Sequence, residues 1–270
     1  MTTAAHLRAI AAAWLAGGRP ALQVQVLRAR GSVPRGDGTV MLVAADAVAG
    51  TIGGGHLELQ AIEAARAALA AGRLEAFERD LALGPSLGQC CGGALALRTE
   101  PLSTASLSRW PAAAPRFRLQ MYGAGHVGRA IAALLADIDC TVQWIDERES
   151  EFPATPGQMH IERLCIEPVE AEVAQGHAGD FYLVLTHSHD LDQRICEAVL
   201  RRGDFGWLGL IGSATKRARF EHRFEARGIP PALINRITCP IGLPGIAGKE
   251  PAVIAVAVVA QLLQASASAG

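Results

Sequence analysis

The stretch Phe117-Arg118-Leu119-Gln120-Met121-Tyr122-Gly123-Ala124-Gly125-His126-Val127-Gly128 decides the fold. Phe117–Tyr122 is apolar and short, which reads as a buried strand. The glycine turn follows at once, then a helical pattern over Arg129–Ala136, a second apolar strand at Cys140–Ile145, and Asp146 at that strand's end. This is G-x-G-x-x-G in its full setting, with an acid about 20 residues on. The first glycine makes the tight turn, the second leaves room for a pyrophosphate, and the third lets helix pack on strand. In a dinucleotide site the acid holds a ribose hydroxyl. The context predicts a Rossmann-type fold; it does not by itself fill the crevice with NAD, because a fold does not fix a function.

The alternation continues downstream. Strands are expected at His160–Cys165, Phe181–Thr186 and Trp207–Ile211, and helices at Glu167–Gln175, Leu191–Arg201 and Thr215–Arg227. That order predicts a doubly wound parallel sheet, with its ligand crevice at the carboxyl ends of the strands. Two loops reach those ends. Thr186-His187-Ser188-His189-Asp190 has the look of a metal signature, but ligands from one loop do not make a site without others elsewhere. The reading favoured here is a polar loop with Asp190 at or near the cap of the next helix. The other loop, Gly209–Ser213 with Lys216 and Arg217 after it, suits a phosphate at a helix start. The apolar run Ala252–Leu263 is shorter than a membrane span and reads as a buried helix.

Upstream, 101–116 is rich in Pro, Ser and Ala and reads as a linker. The chain is therefore expected to be α/β: a smaller N-terminal α+β domain over 1–100, and the Rossmann-type domain over 117–270. In the first domain, Thr2 or Thr3 caps a helix through about Leu15. Leu22, Val24 and Val26 alternate with Gln23 and Gln25 in a strand over Ala21–Ala29. The loop Arg30–Gly38, with two arginines and a serine, is either an anion site or a solvated turn. Gly53-Gly54-Gly55 precedes a helix over His56–Ala71, and free N–H groups at such a start form an anion cradle. Strands follow at Leu74–Leu83 and Ala94–Arg98.

Between those last strands lies Gly88-Gln89-Cys90-Cys91-Gly92-Gly93. A thiolate is a nucleophile and a soft-metal ligand, and glycine lets a ligand approach the main chain. The alternative is that both thiols are small buried hydrophobes. A bridge between the two is disfavoured: adjacent Cα atoms are about 3.8 Å apart, against roughly 4.4–6.8 Å for an unstrained disulfide.

Composition narrows the classes. The chain has 270 residues, half of them hydrophobic, and a formal net charge of −1. Nothing there favours nucleic acid or an anionic membrane. Its six cysteines are scattered singly apart from Cys90 and Cys91, which is cytoplasmic usage and not a secreted disulfide framework. His6 and Arg8 interrupt the first apolar run, so no secretory signal is expected.

Six motifs together resemble the XdhC/CoxI family of accessory proteins of molybdenum hydroxylases, most closely its XdhC branch. They are Gly31–Arg35, Gly53–Glu58, Gly88–Gly93, Gly123–Gly128, Thr186–Asp192 and Leu210–Ser213. The loop Gly242–Ile246 with Lys249 departs from the more acidic version usual in the family. The resemblance implies a carrier, not an enzyme: a chaperone that binds the molybdenum cofactor (molybdopterin), holds it while a cysteine desulfurase supplies the sulfido ligand, and delivers it to apo-xanthine dehydrogenase. It also implies a homodimer. Cys91 is the expected metal or sulfur contact, with Cys90 as its partner. Gly92, Gly93, Gly53, Gly54 and Gly55 are the expected cofactor-binding residues of the first domain; Gly123, Gly125, Gly128, Asp146 and Ser213 are those of the second, where a nucleotide or the pterin phosphate is the alternative guest. Two other functions remain open from the residues: an NAD(P)-dependent oxidoreductase and a cysteine-based sulfur relay.

Overall fold

The structure is a computed structural model that describes residues 3–73, 75–82, 93–110, 114–155 and 158–268. The chain divides into two compact units, Met1–Ala113 and Ala114–Gly270. The division falls inside the 101–116 segment.

The first unit is a sheet with helices on both faces. Its helices are α1 (Ala4–Ala16), α2 (Gly55–Ala70) and α3 (Thr104–Ser108). Its strands are β1 (Ala21–Arg30), β2 (Val40–Ala44), β3 (Val48–Gly50), β4 (Phe77–Ala82) and β5 (Ala94–Pro101). They form one antiparallel sheet in the order β3-β2-β1-β5-β4. The period-2 alternation of β1 explains the layering. Leu22, Val24 and Val26 pack with α2, while Ala21 packs with Leu7 and Ala11 of α1 on the other face. Thr3 caps α1 by accepting from the His6 N–H.

The segment expected to be a linker is largely folded. Ser103 and Ser106 form a reciprocal capping box on α3. Trp110 is buried, and its indole N–H donates to Gln23 Oε1 at 2.8 Å. Gln23 in turn donates to Glu100, which also accepts from Arg109. A buried amide and carboxylate need such partners, and the residues after β5 supply them.

The second unit has the expected Rossmann-type architecture. Its strands are β6 (Arg118–Tyr122), β7 (Thr141–Asp146), β8 (Ile161–Cys165), β9 (Phe181–Val184), β10 (Trp207–Leu210) and β11 (Ile237–Thr238). All pairings are parallel, in the order β11-β10-β9-β6-β7-β8. Numbered within the unit, this is 3-2-1-4-5-6 read from β8, so the strand order reverses between β6 and β9. Helices α4 (His126–Leu135) and α8 (Pro251–Ser268) cover one face; α5 (His189–Arg202), α6 (Ala214–Ala226) and the short α7 (Pro231–Ile234) lie with the other core.

Two expectations change here. Glu167–Gln175 is not an α-helix but a 3-10 segment over Val169–Gln175, with only Val169 and Val173 buried. The chain must cross from the β8 edge to β9, and a 3-10 helix advances about 2.0 Å per residue against about 1.5 Å for an α-helix. The C-terminal helix is longer than its apolar run and by length and composition alone would span a membrane. Ala255, Val258 and Leu262 nonetheless recur at helical spacing and pack into the core with α4, leaving Val256 exposed.

Candidate functional site

In the first unit, the site grows from the loop after β1. A Cβ added to Gly53 would stand 2.4 Å from the Pro34 ring, and one added to Gly93 would stand 2.5 Å from both the Arg30 and Ser32 carbonyl oxygens. The Arg30–Arg35 loop thus presses on the triple-glycine turn and on the end of the cysteine stretch at once. Residues of three motifs meet here: Ser32, Val33 and Pro34 of the first, Gly53 of the second, and Gly93, the last residue of the cysteine motif. Gly53 and Gly54 have φ of 128° and 78°, values that L side chains resist. Cys90, Cys91 and Gly92 themselves lie outside the described residues. The stretch that holds them leaves and rejoins the sheet at the cross-strand pair Ala82 and Ala94.

The expected anion cradle at Gly53–Gly55 is already filled from within. Glu58, in the first turn of α2, accepts from the Ile52 N–H at 3.0 Å, the Gly54 N–H at 3.1 Å and the Thr51 hydroxyl. An acid in the first turn of a helix was the readable signal.

In the second unit, the three glycines of the turn separate by role. A Cβ on Gly123 would meet the Leu185 carbonyl oxygen at 2.3 Å, and one on Gly128 would meet the Gly123 carbonyl oxygen at 2.1 Å. Gly125 has nothing within 4 Å of such a Cβ. Gly123 and Gly128 are therefore demanded by packing, whereas Gly125 faces open space.

Asp146 does not present itself to a ribose. Its Oδ2 accepts from the Ala124 N–H at 2.7 Å and from Arg148 Nη2 at 3.0 Å; its Oδ1 accepts from the Arg148 N–H and Nε, both at 3.0 Å. A carboxylate has about four lone-pair sites, and these contacts use them. Burial alone would raise this carboxyl's pKa, but the Arg148 guanidinium and the two backbone N–H donors outweigh it and hold the pKa below the usual range. Asp146 braces the glycine turn. Beside it, His187 lies 3.5 Å from Glu147 across the ends of β7 and β9.

The two loops at β9 and β10 meet through a buried pair. Lys216 Nζ donates to Asp192 Oδ2 at 2.5 Å and to the Ile211 carbonyl at 2.8 Å. Asp192 also accepts from the Thr186 N–H at 3.0 Å and hydroxyl at 2.7 Å. Together they form the floor of an open dish of about 270 Å³, walled by His187, His189, Gly212 and Ser213. Sequence reading noted these residues but not the Lys216–Asp192 link. Ser213 caps α6 through the Lys216 N–H, and Ser188, not Asp190, caps α5 through the Leu191 N–H. A serine hydroxyl is short enough to reach back here. His189 accepts from Arg219, and among the described residues no three His, Cys, Asp or Glu side chains gather as a metal site.

Comparison with known proteins fits this anatomy. Residues 14–78 match the XdhC and CoxI family, and residues 119–262 match the XdhC Rossmann domain. The uncharacterized protein YqeB of Escherichia coli (strain K12) is 31% identical over 256 residues, which cover 91% of this chain and 43% of that protein. The chain thus spans less than half the length of this relative. A solved structure described as a xanthine dehydrogenase from Bacillus halodurans superposes with a TM-score of 0.75, over 97% of this chain and 96% of that one. Its 18% identity carries the fold alone. With both halves matched, the chain belongs to the XdhC and CoxI family.

Proposed function

We propose that the protein is an accessory factor of xanthine dehydrogenase that carries the molybdenum cofactor. It holds the cofactor during sulfuration by a cysteine desulfurase and hands it to the apo-enzyme, as a cytoplasmic homodimer without turnover of its own. The observation that carries this reading is the convergence of the Arg30–Arg35 loop on Gly53 and Gly93, the residue that ends the cysteine stretch. Soft thiolates suit a sulfur-rich metal centre, so Cys91 and Cys90 are the residues to hold the metal. The loop packed on Gly53 and Gly93 fixes the point at which the cysteine stretch rejoins the sheet. A carrier must also release its cargo, which favours one or two protein contacts over a closed site.

The Asp146–Arg148 pair argues against the oxidoreductase alternative, since the acid that would hold a ribose is occupied. The deciding experiment is purification from a molybdenum-replete host, with molybdenum measured by mass spectrometry and pterin by fluorescence after oxidation. Stoichiometric molybdenum and pterin, lost in Cys90→Ser/Cys91→Ser, supports the carrier. Persulfide on the cysteines without pterin replaces it with a sulfur relay, and nicotinamide turnover replaces it with an oxidoreductase.

A further inference from the structure

The strand β1 changes face partway along. Leu22, Val24 and Val26 point at α2, and unbroken alternation would send Arg28 and Arg30 the same way, into the apolar core. The pairing with β5 shifts by one residue between Val26 and Arg28. Leu27 is the extra residue of a β-bulge. Beyond it Arg28 stands opposite Ala96 and Arg30 opposite Ala94, on the face away from α2, while Ala29 turns to the core.

That face has an unusual make-up. Ala82, Ala94 and Ala96 give it a low floor, and with Arg28, Arg30 and Asp80 they line a groove of about 440 Å³. The neighbouring arginines are neutralised: Arg98 pairs with Glu78 and Glu100, and Arg109 with Glu100. Arg28 and Arg30 are exposed and, among the described residues, have no ion-pair partner. A bulge that re-aims two guanidinium groups over a floor of methyl groups is the kind of local distortion found beside binding sites. Planar guanidinium forks match phosphate oxygens in pairs.

We propose that Arg28 and Arg30 clamp the phosphate of a phosphate-bearing ligand lying in this groove. The groove is lined in part by Ala82 and Ala94, the cross-strand pair between which the chain runs through the cysteine motif. The identity of the ligand as the molybdenum cofactor rests on the carrier reading; the clamp itself does not. Asp80, across Ala96 from Arg28, opposes an anion and limits its affinity.

The test uses the full chain and inorganic pyrophosphate as probe. Phenylglyoxal modification of arginines is mapped by mass spectrometry with and without pyrophosphate, and its affinity is measured by calorimetry. Pyrophosphate should protect Arg28 and Arg30 but not Arg79, which lies on the opposite face with Leu97. Arg28→Ala/Arg30→Ala should bind roughly tenfold more weakly or worse, as expected for losing charge-assisted contacts, and Asp80→Asn more tightly. Uniform protection of surface arginines, or unchanged affinity in the folded double variant, overturns the clamp. Loss of pyrophosphate binding in that variant with no cofactor ever bound to wild type keeps the clamp and removes the carrier. Equal cofactor and equal pyrophosphate binding by both proteins does the reverse.

Discussion

Gly212 lies beneath the aliphatic stem of Lys216, so close that a Cβ at position 212 would stand 2.5 Å from the lysine Cδ. The ammonium at the end of that stem is the partner of Asp192, which is fully buried. Gly212→Ala should push the stem aside and strand the carboxylate. Lys216→Met should do the same more completely, at about 3–5 kcal/mol for a buried charge left unpaired. Asp192→Asn/Lys216→Met should recover much of that loss, because both charges go together. Urea unfolding of these variants and of Asp192→Asn alone checks this; strictly additive losses of the two single variants would contradict the coupling.

Asp146 should give the second unit an acid-sensitive term. Its folded pKa lies below the unfolded value of about 3.9, so the stability it contributes is present above that value and lost as pH falls through the folded pKa. Asp146→Asn should cost about 2 kcal/mol at neutral pH, typical of hydrogen bonds to a charged group. The gap to wild type should shrink as the pH approaches 3. Melting temperatures between pH 7 and 3 test it; a gap that is constant with pH would show that the carboxylate's charge plays no part.

The turn glycines should respond unequally. Gly128→Ala places a methyl group against the Gly123 carbonyl and should destabilise by about 3 kcal/mol or prevent folding. Gly125→Ala meets open space at a helix cap and should cost only about 1 kcal/mol. Circular dichroism and thermal melts separate the two. If a phosphate occupies the crevice, Gly125→Val should fold and yet lose that ligand.

The cysteines should separate by reactivity. Burial pushes the Cys140 thiol up to about 12 and raises those of Cys196 and Cys239 as well. These three should resist iodoacetamide until the protein unfolds. Cys165 is exposed, but its thiol is also raised, by partial desolvation and then by Glu149. If Cys90 and Cys91 serve as thiolates, they should be alkylated first at neutral pH, and Cys91→Ser should remove the faster part. Modification of the pair no faster than Cys165 ends the thiolate reading.

The Rossmann-type unit was readable because its signals are local: a strand, three glycines, a helix and an acid in fixed order. The role of the acid was not, since the hydrogen bonds of Arg148 depend on how a side chain folds back on Asp146. In the first unit the triple glycine was legible as a cradle, but not that Glu58 of the following helix turns back to fill it. The same holds for Arg28, which a strict two-residue period assigns to the wrong face. Pattern reading assumes an unbroken ladder, and one extra residue in β1 defeats it. Trp110 was hidden in a Pro- and Ala-rich segment whose composition resembles a linker, although its indole finds Gln23 on a distant strand.

The bulge at Leu27 makes β1 sensitive to parity. Any residue that tolerates a half-buried site can replace Leu27, and its deletion would remove the bulge while leaving Arg28 opposite Ala96 and Arg30 opposite Ala94, both guanidinium groups on their present face. Insertion of one further residue there, with the one-residue bulge kept, would instead turn both guanidinium groups toward α2 and Ala29 outward. Loss of Leu27 should therefore be absorbed more readily than gain of one residue beside it, because only the gain carries the arginines to the other face.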